Sequence, residues 1–242
     1  MLRIFMLPNF LLTRVYGVEN LAKAECASIY VFNHNNSFEV LMVPALLMYH
    51  LGGRSISFVI DWMYGKVPIL GFLMNLFDPV YVYHKRSTLS SIESIRPTAP
   101  SADAIERCTE KLRAGRSIGI FPEGKRNRDS KTLLRGKSGV GHIALQSGSP
   151  VVPVGIDFNC RITKGKIPVL GRTIVRIGQP IVFQQRTERY RAMISSLSGC
   201  STQRSELNQM AAEVTHEIMH CIAELSGKLY QEPFPRNRRS FS

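Results

Sequence analysis

The sequence changes from a strand-like pattern to a helical one within the stretch Ser28-Ile-Tyr-Val-Phe-Asn-His-Asn-Asn-Ser-Phe-Glu-Val40. The first five residues of this stretch are a continuous apolar run that predicts a buried β-strand, and the apolar run from Val40 to Tyr49 predicts a helix kinked at Pro44. Short apolar runs alternate with helical patterns along the rest of the chain. We therefore predict an α/β fold: a single domain with a largely parallel sheet flanked by helices.

The other predicted elements follow from the same patterns and their Gly and Pro boundaries. Strands are predicted at Ile56–Ile60, Val80–Tyr83, Ser117–Phe121, Val151–Ile156, Thr173–Ile177 and Pro180–Phe183, and helices at Ser101–Arg113 and Gly139–Gln146. Residues 87–100 are rich in Ser, Thr and Pro and predict a mobile loop. We expect one domain over residues 1–242, with a core at about 28–184, a C-terminal helical region at about 204–230 and a basic tail at 231–242.

The composition limits the partners. A formal net charge of +13 on 242 residues favours an acidic partner: an anionic membrane surface, a phosphorylated ligand, an acidic carrier protein or nucleic acid. No nucleic-acid-binding motif accompanies the charge, so nucleic acid is not expected. The five Cys residues contain no Cys-x-x-Cys pair, which indicates reduced thiols rather than a disulfide framework.

Residues 1–12 are apolar and lightly basic but shorter than the roughly 20 residues of a membrane-spanning helix. We expect neither a transmembrane span nor a signal peptide here. The segment suits a membrane surface or, equally, an element that packs on the core. With the basic charge, this predicts a peripheral protein on the cytoplasmic face of a membrane.

His34 and Glu39 are the first candidates for chemistry. They lie between the predicted strand and helix, where Glu39 can hydrogen-bond one imidazole nitrogen while the other accepts a proton from a hydroxyl. The alternative is that Asn36-x-x-Glu39 is a capping box in which Glu39 satisfies backbone donors at the helix start.

A second polar segment, Phe121-Pro-Glu-Gly-Lys-Arg-Asn-Arg128, follows another predicted strand. Arg126 and Arg128 offer guanidinium groups that match phosphate oxygens. A solvated basic loop is the alternative. Proton transfer at one segment and fixed positive charge at the other together indicate transfer chemistry on an anionic substrate.

These segments resemble the four motif blocks of the 1-acyl-glycerol-3-phosphate (lysophosphatidic acid) acyltransferases, within the glycerolipid acyltransferase superfamily. The first block, Asn-His-x4-Asp, is matched at 33–39 except that Glu39 ends it. The second, an apolar strand ending in Arg, is matched loosely at 80–86. The third, Phe-Pro-Glu-Gly-x-Arg-x-Arg, is matched throughout at 121–128, and Val-Pro-Val is present at 152–154.

The resemblance implies a role for each matching residue. His34 would be the base that activates the acceptor hydroxyl, and Glu39 would orient it. Glu123 and Gly124 would shape the turn, where a backbone N–H helps to stabilise the oxyanion. The cations implied to bind the acceptor phosphate are Arg126, Arg128, Lys85, Arg86 and Lys137.

The chain departs from the family at two charged positions. Glu39 adds a methylene to the usual aspartate, and Asp61 stands about where many members have a Lys. A negative charge at Asp61 would repel an acceptor phosphate. The resemblance therefore implies transfer of a fatty acyl group from acyl-CoA or acyl-carrier protein to lysophosphatidate, or to a different lysolipid or amphiphilic alcohol. No cofactor and no metal is expected.

His216-Glu217-Ile-Met-His220 supports a rival function from another class. On a helix, His residues four apart share a face, as the zinc ligands of a His-Glu-x-x-His metallohydrolase do. The alternative is a purely structural amphipathic helix whose apolar stripe includes Val214 and Ile218.

Overall fold

A computed structural model describes residues 12–24, 27–34, 39–67, 70–98, 102–127, 129–164, 167–196 and 201–231. The strands in these ranges form one sheet. They are β1 (Arg14–Tyr16), β2 (Ile29–Phe32), β3 (Ile56–Asp61), β4 (Val80–Val82), β5 (Ser117–Ile120), β6 (Val151–Lys164) and β7 (Ile167–Ile177).

The sheet has the order β1-β7-β6-β2-β5-β3-β4. Strands β2 to β6 run parallel, and the antiparallel pairing of β6 with β7 reverses the direction of β7 and β1. This confirms the predicted α/β fold with a largely parallel sheet. The carboxyl ends of β2, β5 and β3 consequently lie side by side at one edge, where such sheets usually bind ligands.

The helices lie on both faces of the sheet. They are α1 (Glu19–Ala22), α2 (Glu39–His50), α3 (Leu70–Asn75), α4 (Ser90–Glu93), α5 (Ala104–Arg113), α6 (Gly139–Ser147), α7 (Gln184–Ser195) and α8 (Ser201–Ser226), with a 3₁₀ helix at Trp62–Lys66. Pro44 lies inside α2, as predicted. No helix among the described residues is long and apolar enough to cross a membrane.

The central strand β2 supplies both halves of the core. Ile29 and Val31 belong to the apolar cluster on the side of α5, α6 and α8, whereas Tyr30 and Phe32 belong to the cluster on the side of α2. All four side chains are buried. Burying a large apolar side chain contributes roughly 1.5–3 kcal/mol, so a strand with two covered faces reads as a continuous apolar run.

Several predicted boundaries were wrong. Strand β6 continues beyond residue 156 to Lys164, and β7 begins at Ile167 rather than at 173. The two strands form a bulged antiparallel hairpin. Residues 87–100 include the helix α4 rather than loop alone. Pro180–Phe183 is not a strand but carries a single bridge at Ile181, and α7, which follows it, was not predicted. The C-terminal helix runs from 201 to 226, and residues 1–11 and 232–242 lie outside the described ranges.

Gly141→Ala is expected to destabilise the fold because α6 and α8 touch at this glycine. An added Cβ would lie 2.0 Å from the carbonyl oxygen of Ala211. Such overpacking typically costs about 1–3 kcal/mol. Thermal unfolding should show a lower Tm for this variant. Gly139→Ala is the matched control, since a Cβ at that position meets nothing within 4 Å; an equal loss in both variants would contradict the explanation.

Candidate active site

The chain leaves the sheet abruptly after β2, and the Asn33 side chain takes over the pairing. Its Nδ2 donates to the carbonyl oxygen of Ile156 at 2.8 Å, and its Oδ1 accepts from the Ile156 N–H at 2.7 Å. Asn33 is fully buried. The amide therefore fixes the point from which His34 projects at the carboxyl edge of the sheet.

The backbone of His34 is held by the second polar segment. Its N–H donates to Oε1 of Glu123 at 2.9 Å, and its carbonyl oxygen accepts the N–H of Asn127 at 2.8 Å. The ring of His34 lies 5.1 Å from that of Phe121, centroid to centroid. The structure thus brings together the two segments that the sequence pattern singled out.

The electrostatic environment keeps the His34 imidazole neutral. Burial, followed by the positive charges of Arg126 and Lys85, lowers the pKa of His34 from 6.5 to about 4. Its Nδ1 is buried and accepts or donates no hydrogen bond within the residues that the structure describes. A neutral imidazole at pH 7 has a free lone pair, which is the form that a general base requires.

Glu39 begins α2, but its side chain lies outside the described residues. Its predicted hydrogen bond to His34 therefore stays a prediction, as does the capping role of Asn36. Arg128 also lies outside them, so its predicted contact with phosphate stays a prediction.

Glu123 and Gly124 form the turn after β5. The second carboxylate oxygen of Glu123 accepts the Leu134 N–H at 3.0 Å, so one side chain joins three segments of chain. Burial raises the pKa of Glu123. Gly124 has φ +64°, and its N–H donates to Phe121 within the turn at 3.0 Å. That N–H is therefore used inside the turn, and the predicted help to an oxyanion from a backbone N–H here stays a prediction.

Lys85 is the cation of the second block that reaches this turn. Its Nζ lies 2.8 Å from the carbonyl oxygen of Gly124 and 2.8 Å from Oδ2 of Asp61. Trp62 holds the Lys85 backbone through an Nε1–H donated to its carbonyl at 3.0 Å. The Asp61 charge is thus neutralised by a neighbour, and the simple repulsion expected from the sequence does not describe it.

The remaining predicted cations fall into two groups. Arg126 is exposed and close enough to His34 to lower its pKa, and the Lys137 side chain packs where a Cβ on Gly124 would lie. Arg86 is exposed and lies near Glu93, whose pKa is lowered chiefly by the Ser87 N–H, then by Arg96, and least by the charge of Arg86. The site therefore gathers Lys85, Arg126 and Lys137, and places Arg86 beside α4.

Two cavities flank the turn. A small apolar cavity of about 60 Å³ is lined by residues of α2, β3 and α3, among them Phe58, whose ring lies 6.4 Å from that of Phe121. A larger open cavity of about 720 Å³ is lined by Arg135, Lys137 and residues of α8. One is suited to hydrocarbon and the other to a polar, anionic group.

The residues of the His-Glu-x-x-His motif contact one another and Arg186. The Nε2 atoms of His216 and His220 lie 3.0 Å apart, but Glu217 forms an ion pair with Arg186 at 2.6 Å. Within the described ranges no three His, Cys, Asp or Glu side chains converge on a point. This arrangement lacks the free carboxylate that the zinc metallohydrolase mechanism needs.

Asn127 is the site residue that the sequence analysis missed. It is buried, and its Nδ2 donates to the carbonyl oxygen of Thr132 at 2.6 Å while its backbone N–H holds His34. Its place between Arg126 and Arg128 is the available signal, because alternate residues of an extended segment point to opposite sides.

Arg126→Gln is expected to raise the pKa of His34 above about 4, because it removes a positive charge that disfavours the imidazolium. The pKa should remain below 6.5, since burial is the larger cause. NMR titration of the His34 imidazole measures it. Arg116→Gln is the control, since that guanidinium pairs with Asp78; an unchanged pKa in the Arg126 variant would refute the account.

Comparison with known proteins agrees with this geometry. The chain is 28% identical over 145 residues to the chloroplastic 1-acyl-sn-glycerol-3-phosphate acyltransferase of Brassica napus, covering 60% of this chain and 37% of that protein. It is 43% identical over 89 residues to the 1-acyl-sn-glycerol-3-phosphate acyltransferase of Borreliella burgdorferi, covering 37% and 31%. The matches thus span about a third of each relative's length.

The fold also has a solved counterpart. The crystal structure of the 1-acyl-sn-glycerophosphate acyltransferase PlsC from Thermotoga maritima superposes with a TM-score of 0.54 at 22% identity, covering 90% of this chain and 74% of that one. The model of the Acyltransferase family matches residues 13–157, which include His34 and the turn at Glu123. The chain belongs to the Acyltransferase family.

Proposed function

We propose that the protein transfers a fatty acyl group from an acyl thioester to the hydroxyl of a lysophospholipid, most directly 1-acyl-glycerol-3-phosphate, giving phosphatidate. One observation carries the proposal: a neutral, half-buried His34 whose backbone is fixed by Glu123, beside the cations Arg126 and Lys85. The names of the curated relatives support the choice of acceptor.

The chemical step needs a base and a fixed acceptor. The acceptor hydroxyl would give its proton to His34 as its oxygen attacks the thioester carbonyl, and the tetrahedral intermediate would collapse by expelling the thiolate. His34 then gives that proton to the thiolate, which returns the imidazole to its neutral form. Because the acceptor oxygen attacks the thioester directly, no covalent acyl-enzyme is formed in this scheme. With Nδ1 buried, Nε2 is the nitrogen proposed to accept the proton.

The acceptor phosphate would be held by Arg126, Lys85 and Lys137, with Arg128 implied by the motif. Lys85 already contacts Asp61, so a phosphate would share this ammonium with a carboxylate. That competition keeps a second candidate in view: an acceptor of the same superfamily whose head is less anionic, such as another lysolipid or an amphiphilic alcohol.

The acyl donor is acyl-CoA or acyl-carrier protein in this proposal. Both present anionic groups, and Arg135 and Lys137 line the larger cavity beside the turn. The apolar cavity at Phe58, of about 60 Å³, would hold only a small part of the fatty chain. No tightly bound cofactor enters the step, because the thioester supplies the activated acyl group.

The protein is proposed to act as a peripheral protein on the cytoplasmic face of a membrane, where lysophospholipids reside. Phe72 in α3 and Leu76 in the turn just after it are 68% and 61% exposed, and the Leu76 N–H donates to the Phe72 carbonyl oxygen as in a further helical turn. Exposed apolar side chains on one helical face favour shallow contact with lipid. The net charge of +13 adds attraction to an anionic surface.

His34→Ala should lower the turnover of lysophosphatidate by about 10²–10⁴-fold, the usual contribution of a general base. The assay offers lysophosphatidate and a neutral alcohol, each with acyl-CoA and with acyl-carrier protein. His50→Ala, at the exposed end of α2, is the matched control. Turnover by the His34 variant at the wild-type rate would rule out the assignment; a faster neutral acceptor would favour the second candidate.

Replacing both Phe72 and Leu76 by Asp should weaken binding to anionic phospholipid vesicles by at least roughly tenfold, because each buried side chain contributes roughly 1.5–3 kcal/mol. Co-sedimentation measures the binding, and the wild type should stay bound in high salt until detergent is added. Val182→Asp changes a similarly exposed side chain elsewhere. Release of the wild type by salt alone would disprove the apolar contact.

A further inference from the structure

The chain beyond α8 returns to the catalytic turn. The helix ends at Ser226, Gly227 adopts φ +68°, and Leu229 then pairs with Thr132. Leu133 donates its N–H to the carbonyl oxygen of Leu229 at 2.8 Å, and Leu229 donates to Lys131 at 2.9 Å. The next residue after this pairing, Leu134, donates its N–H to Glu123.

The end of α8 is itself fixed to the sheet. A Cβ on Gly155 of β6 would lie 2.5 Å from the backbone of Leu225 and Ser226, so strand and helix touch without a side chain between them. Arg176 of β7 also donates to the carbonyl oxygen of Leu225 at 3.0 Å. The residues that follow therefore start from a rigid position.

Lys228 is the charged member of this returning segment. It is buried, with 6% of its surface exposed, and Glu123 is buried as well, at 2%. Burial raises the pKa of Glu123; the N–H groups of His34 and Leu134 oppose that rise, and the positive charge of Lys228 opposes it further. A buried lysine is rarely found without opposite charge nearby, because removing an ammonium from water is costly.

We propose that Lys228 is a positioning residue for acyl transfer: its buried charge keeps the Glu123 carboxylate in the place from which it holds the His34 backbone. The inference rests on the proposed function, in which His34 is the base. Lys228 touches no substrate in this scheme. It lies outside all four motif blocks, far along the chain from the residues that it supports.

The groups whose charges or hydrogen bonds act on Glu123 define the expected pH dependence. They are the backbone N–H donors of His34 and Leu134, the ammonium of Lys228 and the nearby Tyr230 hydroxyl, whose pKa is raised by burial and by the Glu123 charge. Burial already favours the protonated carboxyl. Without Lys228 the pKa of Glu123 rises, so the carboxylate is lost at a higher pH.

The test compares Lys228→Met, Lys228→Arg and Lys131→Met over a range of pH. Lys131 is an exposed lysine on the partner segment and serves as the matched control. Lys228→Met should lower kcat by up to about 10²-fold, because a displacement of about 1 Å at a catalytic group has that effect. KM should change little, the acid limb of the kcat profile should move to higher pH, and Lys228→Arg should restore most of the rate.

A purely structural role would lower kcat equally at every pH and would give the same acid limb as the wild type. Equal effects of Lys228→Met and Lys131→Met, or a wild-type profile for Lys228→Met, would overturn the proposal. Should Lys228→Met fail to fold, the double variant with Glu123→Gln removes both charges; its recovery of folding would support a coupled pair, and its failure would count against one.

A readout without turnover separates this inference from the proposed function. The NMR signal of the His34 amide reports its hydrogen bond to Glu123 directly. It should shift in Lys228→Met and stay in place in Lys131→Met. A wild-type protein that transfers no acyl group would refute the proposed function, while an unmoved His34 amide would refute the role of Lys228.

Discussion

The geometry of the site depends on the two hydrogen bonds that the buried Glu123 carboxylate accepts. The carboxylate accepts one hydrogen bond from His34, which leaves the sheet after β2, and another from Leu134, far beyond the turn after β5. When backbone N–H groups donate to both oxygens of a carboxylate, they hold the segments that carry them in fixed positions. Charge-assisted hydrogen bonds of this kind are stronger than neutral ones. The fold places two strand ends side by side, and Glu123 converts that proximity into a fixed geometry.

The positive charges around His34 act both on its protonation and on the binding of an anionic group. Burial and the neighbouring cations keep the imidazole unprotonated, and the phosphate site proposed for the acceptor uses the same cations. An anionic ligand would offset part of their effect on His34 and make the ring a stronger base when substrate is bound. The Asp61–Lys85 pair moderates this field, because one cation is already partly neutralised.

Much of the fold was predictable because its signals are local. Central strands covered on both faces must be apolar throughout, so β2, β3 and β5 are visible as short runs, and the motif blocks fall at their carboxyl ends. The hydrogen bonds between Asn33 and Ile156, and the proposed support of Glu123 by Lys228, each join residues more than a hundred positions apart in sequence. Helix α7 was missed because it is mostly polar, with only Thr187 and Tyr190 buried.

The Asn33 side chain behaves as a substitute peptide group. It presents one donor and one acceptor with the spacing of a backbone amide, so β6 finds its partner even though the main chain has already turned away. The backbone N–H and carbonyl oxygen of Ile156 are thus both paired by the residue just before His34, the proposed base. An aspartate would face the Ile156 carbonyl with a second acceptor, and a leucine would satisfy neither atom. The requirement for an amide at position 33 therefore follows from its hydrogen bonds to a neighbouring strand.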